Sequence, residues 1–305
     1  MSSIAVVVIN WNSAAHTRNC LLSLQSVTTE HAVDVLVLDN ASSEAGFDQL
    51  ESDFPDVRFY RSKRNLGFAG GNNFLLEIVR KGDWDYFLLL NNDTFVEEKA
   101  IDLLVASCDT NDKKITQPLI LFNDDREKVW NAGGRLDTLS GNSTTIGYRE
   151  NKDQFTNRKE YKIDWYTGCS VMAPTSLLRE TNLFNPHFFL YHEDVESSIR
   201  LRKLGYDLAL LPTSRIYHVA GGSGKQTKST GKQRTLPIIH YYNIRNSLWV
   251  VRLYPGVFHF TALVYQVLKG LALLGYFLLR FRFEKARSAI FGLSKGLFYP
   301  LASIR

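Results

Sequence analysis

The sequence predicts an α/β fold: a mainly parallel, Rossmann-like sheet flanked by helices. Three observations predict it. Short apolar runs, IAVVVI at 4–9, VDVLVLD at 33–39 and YFLLLNND at 86–93, are separated by stretches of helical character, the alternation of a βαβ chain. The runs are apolar at nearly every position, which suits strands covered on both faces. Each run ends in polar residues, Asn10-Trp11-Asn12, Asp39-Asn40 and Asn91-Asn92-Asp93, and the carboxyl ends of such strands are where ligands bind.

The elements follow in order. After the first strand, Ser13 is placed to cap a helix running toward Leu24. Residues 57–61 (VRFYR) are a third, weaker strand, and a glycine-rich stretch at 65–73 leads into a helix reaching Val79. Residues 115–121 suggest another strand, and residues 131–162, rich in Gly, Asn, Thr and charge, read as hairpins and loops. WYTGCSVMAP at 165–174 is a strand broken by Gly168. Residues 192–204 form a helix closed by Gly205, and two short strands lead to His218. Residues 220–234 hold four Gly, four Lys or Arg and no large apolar residue, the composition of a mobile loop. Residues 238–252 are helical and carry Tyr241, Tyr242, Asn243, Arg245 and Asn246. Beyond Pro255-Gly256, residues 257–279 are an apolar helix with one charge, Lys269. Its polar members His259, Gln266, Lys269 and Tyr276, with Arg280 beyond, fall on one narrow stripe.

A chain of 305 residues suits one or two domains, divided here into a catalytic domain at 1–252 and a helical tail at 253–305. With 45% hydrophobic and 22% charged residues, a disordered chain, a collagen and a polytopic membrane protein are excluded. Three cysteines fit neither a disulfide scaffold nor a zinc site and suit a reducing compartment. The start, MSSIAVVVIN, has no basic region before its apolar run, so a cytoplasmic protein is expected. The tail carries seven Lys or Arg against one acid, whereas the first 252 residues are nearly neutral. Nucleic acid is therefore not an expected partner, since its binders spread basic charge over a folded face. An anionic membrane surface suits a cationic, greasy tail. Lys269 would cost about 2.5–3.5 kcal/mol at a bilayer centre, so the tail helix is expected to lie in the interface with its cations toward the headgroups. The alternative is that it packs on the catalytic domain or on a second copy of the chain.

Asp93 follows YFLLL at the mouth of the sheet, where a carboxylate can hold a hard divalent cation; a polar turn explains the same residues. Asp39 can accept an N–H from a nucleobase or a ribose hydroxyl, or can cap the next helix. Asn65 to Asn73 combine glycines with a helix start whose free N–H groups favour anions, without the G-x-G-x-x-G spacing of a dinucleotide site. In His192-Glu193-Asp194 one carboxylate can serve as a general base, its neighbour holding it; acids also favour a helix's first turn. His218 gains a role if Asp93 holds a metal.

In this order the motifs resemble family 2 glycosyltransferases, in particular the bacterial rhamnosyltransferase-like branch, over residues 4–250. The resemblance implies the A-type glycosyltransferase fold, an inverting transfer from a nucleotide-diphosphate sugar, and Mg²⁺ or Mn²⁺. By position, Asp39 would read the base, and the backbone of Ile9 and Asn10 would line the nucleoside pocket. Asn65 and Gly67 would approach the nucleotide or its diphosphate. Asn91 and Asp93 match the ends of the family's D-x-D motif, with Asn in place of the first Asp. Asp93 would then be the main metal ligand, His218 would complete the site, and Asn91 would contact ribose or water. Trp165, Thr167 and Gly168 would shape the sugar and acceptor pocket, and Asp194 would be the general base with Glu193 beside it. Lys225, Lys228, Lys232 and Arg234 would close over the diphosphate. The expected donor is dTDP-rhamnose, with a UDP-sugar second. The expected acceptor is a glycan or a polyprenyl-diphosphate-linked glycan of cell-surface polysaccharide synthesis such as O-antigen. The rival readings are a nucleotidyltransferase and a lapsed, membrane-associated carbohydrate-binding protein.

Overall fold

The computed structural model describes residues 1–219, 225–227 and 233–304. The first half is built as the apolar runs predict. β1 (Ser3–Asn10), α1 (Ala14–Gln25), β2 (Ala32–Asp39), α2 (Phe47–Asp53), β3 (Arg58–Arg61), α3 (Gly67–Lys81) and β4 (Tyr86–Asn91) alternate, and the strands lie parallel in the order β3-β2-β1-β4. Successive side chains of a strand face opposite ways. Ile4, Val6 and Val8 therefore join Leu88, Leu90 and the helices α1 and α2 on one face. Ala5 and Val7 join Phe87, Leu89 and α3 on the other. Ser13 occupies the position before α1, but its hydroxyl makes no capping bond; its carbonyl accepts from the Thr17 amide instead.

The second half contributes β5 (Thr94–Val96), α4 (Ala100–Cys108), β6 (Lys114–Phe122), β7 (Val129–Asn131), β8 (Gly134–Leu136), β9 (Ser143–Thr145), β10 (Tyr161–Lys162), β11 (Ser170–Pro174), α5 (Leu177–Glu180), α6 (Glu193–Lys203) and β12 (Asp207–His218). β11 runs antiparallel between β4 and β6, so the sheet is mixed: a parallel block on each side is joined through one reversed strand. The strand expected at 165–174 begins only at Ser170, because the chain turns through Gly168 and Cys169. The two short strands expected before His218 are one strand of 12 residues, with its register shifted between Leu211 and Arg215. Pro212 lies inside that shift and has no amide to give the ladder. Within 220–234, β13 (Lys225–Thr227) and β14 (Gln233–Thr235) pair antiparallel. Lys228 and Lys232 lie outside the described residues, as do the side chains of Lys225 and Arg234.

The tail is part of the same body. α9 (Phe283–Phe298) lays Ala286, Ala289, Gly292 and Gly296 against α7 (Pro237–Leu253), whose Ile244 and Leu248 fill the gap. Trp249 and Arg252 of α7 donate to the carbonyls of Lys295 and Gly296 at 3.0 and 2.7 Å. Another cluster joins Trp165, Phe188 and Val195 to Trp249, Phe258 and Ala262. The division at residue 252 is therefore no break in packing.

α8 (Phe260–Leu279) is long and apolar enough to cross a membrane, and part of its polar stripe is tied to the protein. Gln266 Nε2 donates to Ser140 O and Asn142 Oδ1 at 2.9 and 3.2 Å, and Lys269 Nζ donates to Asn142 Oδ1 at 2.8 Å. Gln266 is buried in this contact, whereas His259, Lys269 and Tyr276 stay exposed at its edge. The stripe satisfies polar groups of the turn between β8 and β9, and leaves Phe260, Val264, Leu268, Leu271 and Leu279 exposed.

The close approach of α7 and α9 gives a test. A Cβ at Gly296 would lie 2.5 Å from Leu248 Cδ1 and 3.0 Å from its Cβ. Gly296→Val is expected to destabilise the whole chain by about 1–3 kcal/mol, the scale of overpacking. Urea unfolding should show it as a lower midpoint of a single transition; an unchanged midpoint would mean that the tail does not rest on α7.

Candidate active site

Register brings the polar strand ends together: Asn10 pairs with Asp39, and Ile9 with Asn91. Asn10 is fully buried, and its Nδ2 donates to Asp39 Oδ1 at 3.2 Å and to Ser42 Oγ at 3.1 Å. Its Oδ1 accepts from Thr17, and its backbone carbonyl accepts from the Asn40 amide. Asn10 is thus committed to holding Asp39. Asp39 Oδ1 also accepts from the Ser42 amide, whereas Oδ2 takes no hydrogen bond among the described residues, leaving one carboxylate oxygen for a ligand N–H or hydroxyl. Ile9 is half-buried beside Gly71.

The start of α3 differs from the anion cradle its glycines suggested. Asn40 Oδ1 accepts the Leu66 amide and Asn65 Oδ1 the Gly67 amide, while the carbonyl of Phe189 takes the amides of Phe68 and Ala69. None of these four N–H groups is left for a phosphate. Gly67, at φ +73°, is needed because a Cβ there would lie 2.5 Å from the Phe189 ring. Gly67 serves the contact with the 189–194 segment, and Asn65 serves the turn.

The end of β4 is different. Asp93 and His218 are buried, with His218 Nε2 3.2 Å from Asp93 Oδ1. The pair is not aligned as a hydrogen bond, and both Asp93 Oδ1 and His218 Nδ1 lack a hydrogen-bond partner among the described residues. β5 and β12 fix the arrangement by pairing His218 with Thr94, and the Trp130 ring packs on the imidazole at 4.2 Å. Buried polar atoms without partners are costly, so this pair suits a divalent cation. Among the described residues no three His, Cys, Asp or Glu gather around one point. Two protein donors are few, as is usual where phosphates and waters complete the shell of Mg²⁺. Half-buried Asn91 ends β4 next to this pair, its amide donating to Cys169 O at 2.8 Å.

Asp194 stands on the neighbouring wall. Its Oδ2 accepts from the Gly168 amide at 3.3 Å, and its Oδ1 from the Val195 amide at 2.8 Å. Burial pushes its pKa up to about 6. Glu193 is more deeply buried, and its Oε2 has no hydrogen-bond partner among the described residues. Burial, with the Asp194 charge added, raises Glu193 well above the usual carboxylate range. Both carboxyls are raised, Glu193 further than Asp194, so Glu193 holds its proton more firmly and Asp194 is the one of the pair that ionises first. Trp165 and Thr167 are buried in the same wall. Trp165 Nε1 donates to Arg135 O, and the Thr167 amide donates to Gln117 Oε1 at 2.8 Å. Cys20, Cys108 and Cys169 are buried and free.

The backbone before Asp194 is strained: Phe189, Tyr191 and His192 have φ of 60°, 66° and 63°, a region non-glycine residues avoid at about 1–3 kcal/mol each. Two residues of α7 hold it. Arg245 donates to the carbonyls of His187 and Phe188 at 2.9 and 3.0 Å. Asn246 donates to those of Phe188, Leu190 and Tyr191 at 2.9, 2.9 and 2.6 Å. The candidate residues read from the sequence did not include this pair. The available signal was an Arg-Asn pair within a helix ending in apolar LWVV.

The model of Glycosyl transferase family 2 matches residues 5–180, more than half of the chain. The chain is 24% identical over 245 residues to N-acetylglucosaminyl-diphospho-decaprenol L-rhamnosyltransferase of Mycobacterium tuberculosis, covering 73% of this chain and 78% of that one. It is 27% identical over 170 residues to Rhamnosyltransferase WbbL of Escherichia coli K12, covering 53% and 64%. Among solved structures it resembles GalNAc-T7 with UDP, GalNAc and Mn²⁺, with a TM-score of 0.65 and 17% identity. That likeness covers 83% of this chain and 48% of the other, so the chain spans about half its length, and it is a likeness of fold. The mixed sheet, the polar strand ends and the matched range agree: this chain belongs to glycosyl transferase family 2, is rhamnosyltransferase-like, and has the A-type glycosyltransferase fold.

Proposed function

We propose that this glycosyltransferase moves rhamnose from dTDP-rhamnose, with inversion, to a hydroxyl of a polyprenyl-diphosphate-linked glycan at the inner face of the cytoplasmic membrane. The observation that carries the chemistry is the split carboxyl pair, Asp194 poised and Glu193 protonated, on the wall next to Asp93 and His218. The sugar and the lipid rest on the relatives, two of which are named as rhamnosyltransferases and one for a decaprenol-linked acceptor.

In this reading the free oxygen of Asp39 meets the nucleoside. Asp93 and His218 would hold Mg²⁺ or Mn²⁺, which when bound supplies positive charge to the leaving nucleoside diphosphate. Asp194 takes the proton of the acceptor hydroxyl as that oxygen bonds to the anomeric carbon. The bond from that carbon to the phosphate oxygen breaks on the opposite side, so the centre inverts. Glu193, being neutral, leaves Asp194 as the only base of the pair and adds no second negative charge.

The exposed surface of α8, the turn after it and α9 supports membrane attachment. Leu279, Phe281, Phe283 and Phe298 are 82, 78, 64 and 80% exposed, with Arg280, Arg282, Arg287 and Lys295 interspersed. Such a surface suits an anionic bilayer, with α8 lying in the interface. A spanning α8 would have to leave its bonds to Ser140 and Asn142. The full chain should float with anionic liposomes and much less with neutral ones, and Leu268→Asp with Leu271→Asp should abolish flotation. Concentration-dependent dimerisation without flotation would instead assign the surface to a second copy of the chain.

Asp93→Ala should keep the fold and abolish metal-dependent release of nucleoside diphosphate. Near-normal turnover at ordinary metal concentration would remove Asp93 from the metal site. For the base, ionised Asp194 is required, so kcat/KM should fall tenfold per unit as pH drops below about 6 and level off above it. Asp194→Asn should lose about 10²-fold or more and lose that acid limb, while Glu193→Gln retains both. The opposite result would exchange the two roles. Asn246→Ala, which leaves the Leu190 and Tyr191 carbonyls without their donor, should cost about 1–3 kcal/mol in stability and lower kcat more than it raises donor KM.

A further inference from the structure

The polar edge of α8 reaches the acceptor side of the site. Gln266 and Lys269 pin the helix to the turn at Ser140 and Asn142, and this fixes where the lysine stands. From that turn the hairpin runs back to Gly134, whose amide donates to Trp165 O at 2.9 Å. Trp165 begins the wall that ends with Gly168 on Asp194. Lys269 lies near enough to His192, the residue before α6, for its charge to act there: burial first, and then the Lys269 charge, push the His192 imidazole down to about 4. An ammonium carries three N–H donors, and among the described residues Lys269 spends one of them, on Asn142. The neighbouring face of the same helix exposes Phe260, Val264, Leu268 and Leu271.

We propose that Lys269 binds the diphosphate of a lipid-linked acceptor, between a polyprenyl chain on the exposed face of α8 and a sugar hydroxyl at Asp194. In such an acceptor, sugar, diphosphate and lipid follow one another along one molecule. The protein offers a carboxylate, a cation and an apolar face in the same order. The inference rests on the acceptor class proposed above, and adds the residue that reads its charge.

The test uses the full chain in detergent with two acceptors bearing the same sugar, one on a short polyprenyl diphosphate and one on a neutral alkyl group. The wild type is expected to favour the diphosphate acceptor. Lys269→Gln should cut the ratio of the two kcat/KM values by roughly tenfold or more, the scale of a charge-assisted hydrogen bond. The loss should lie in acceptor KM, with donor KM moving little, and Lys269→Arg should restore most of the ratio. Asn142→Ala cuts the tether but keeps the cation, so it should hold the ratio better than Lys269→Gln; equal losses would make the lysine a structural residue only. A wild type that favours the diphosphate acceptor, with a Lys269→Gln variant that favours it equally, overturns this inference and leaves the proposed function standing. Equal kcat/KM for both acceptors in the wild type also overturns it. A wild type that uses neither acceptor overturns the acceptor reading and this inference together.

Discussion

Five successive backbone carbonyls, from His187 to Tyr191, belong to no strand or α-helix of their own and are satisfied from other elements. Arg245 and Asn246 of α7 take four, and the amides at the start of α3 take the fifth, that of Phe189. Buried carbonyls must be paired, and here the pairing selects one conformation of a segment with three left-handed residues. That conformation turns the chain so that α6 begins at Glu193 and Asp194 meets the Gly168 amide. Arg245 is itself fixed, its guanidinium lying over the Trp249 ring at 4.1 Å, and Trp249 is tied to Lys295. The C-terminal helices therefore act on the chemistry by way of α7.

The two sides of the site use burial in opposite ways. At Asp93 and His218, burial leaves polar atoms without partners, a deficit that a cation and its phosphate ligands can fill. At Glu193 and Asp194, burial works on protonation: the deeper carboxyl is raised further, and the shallower one, bonded to two amides, gives up its proton first. In the proposed mechanism one side would gather positive charge for a leaving group, and the other would receive a proton.

The parallel half of the fold was legible because its central strands are apolar at nearly every position and end in polar residues; IAVVVI and YFLLL admit few other readings. Asp39, Asp93 and Asp194 could be named for the same reason, each being an acid at the end of an apolar run. What was not legible depends on contacts distant in sequence. β11 is apolar like its neighbours, and nothing local tells that it runs antiparallel. Gly67 reads as a phosphate-binding glycine until Phe189 is seen against it. The stripe of Gln266 and Lys269 was visible, but its partners were not, since a polar stripe looks the same whether it meets water or the polar groups of a neighbouring turn.

The contact between Gly67 and Phe189 has a consequence for recombining such enzymes. The family match ends at residue 180, and the strained segment, its base and its support on α7 all follow that point. Residues on the two sides of that point are joined at many places, with β12 along β6, His218 beside Asp93 and Asp194 on Gly168. The tightest of these joints sets the ring and carbonyl of Phe189 against the first turn of α3. A chimera that joins the first 180 residues of one relative to the remainder of another has to match all of them, and this one only if it keeps a glycine at position 67. With a side chain there, the segment that leads to Asp194 would be pushed off α3, and Asp194 would lose its place beside Gly168.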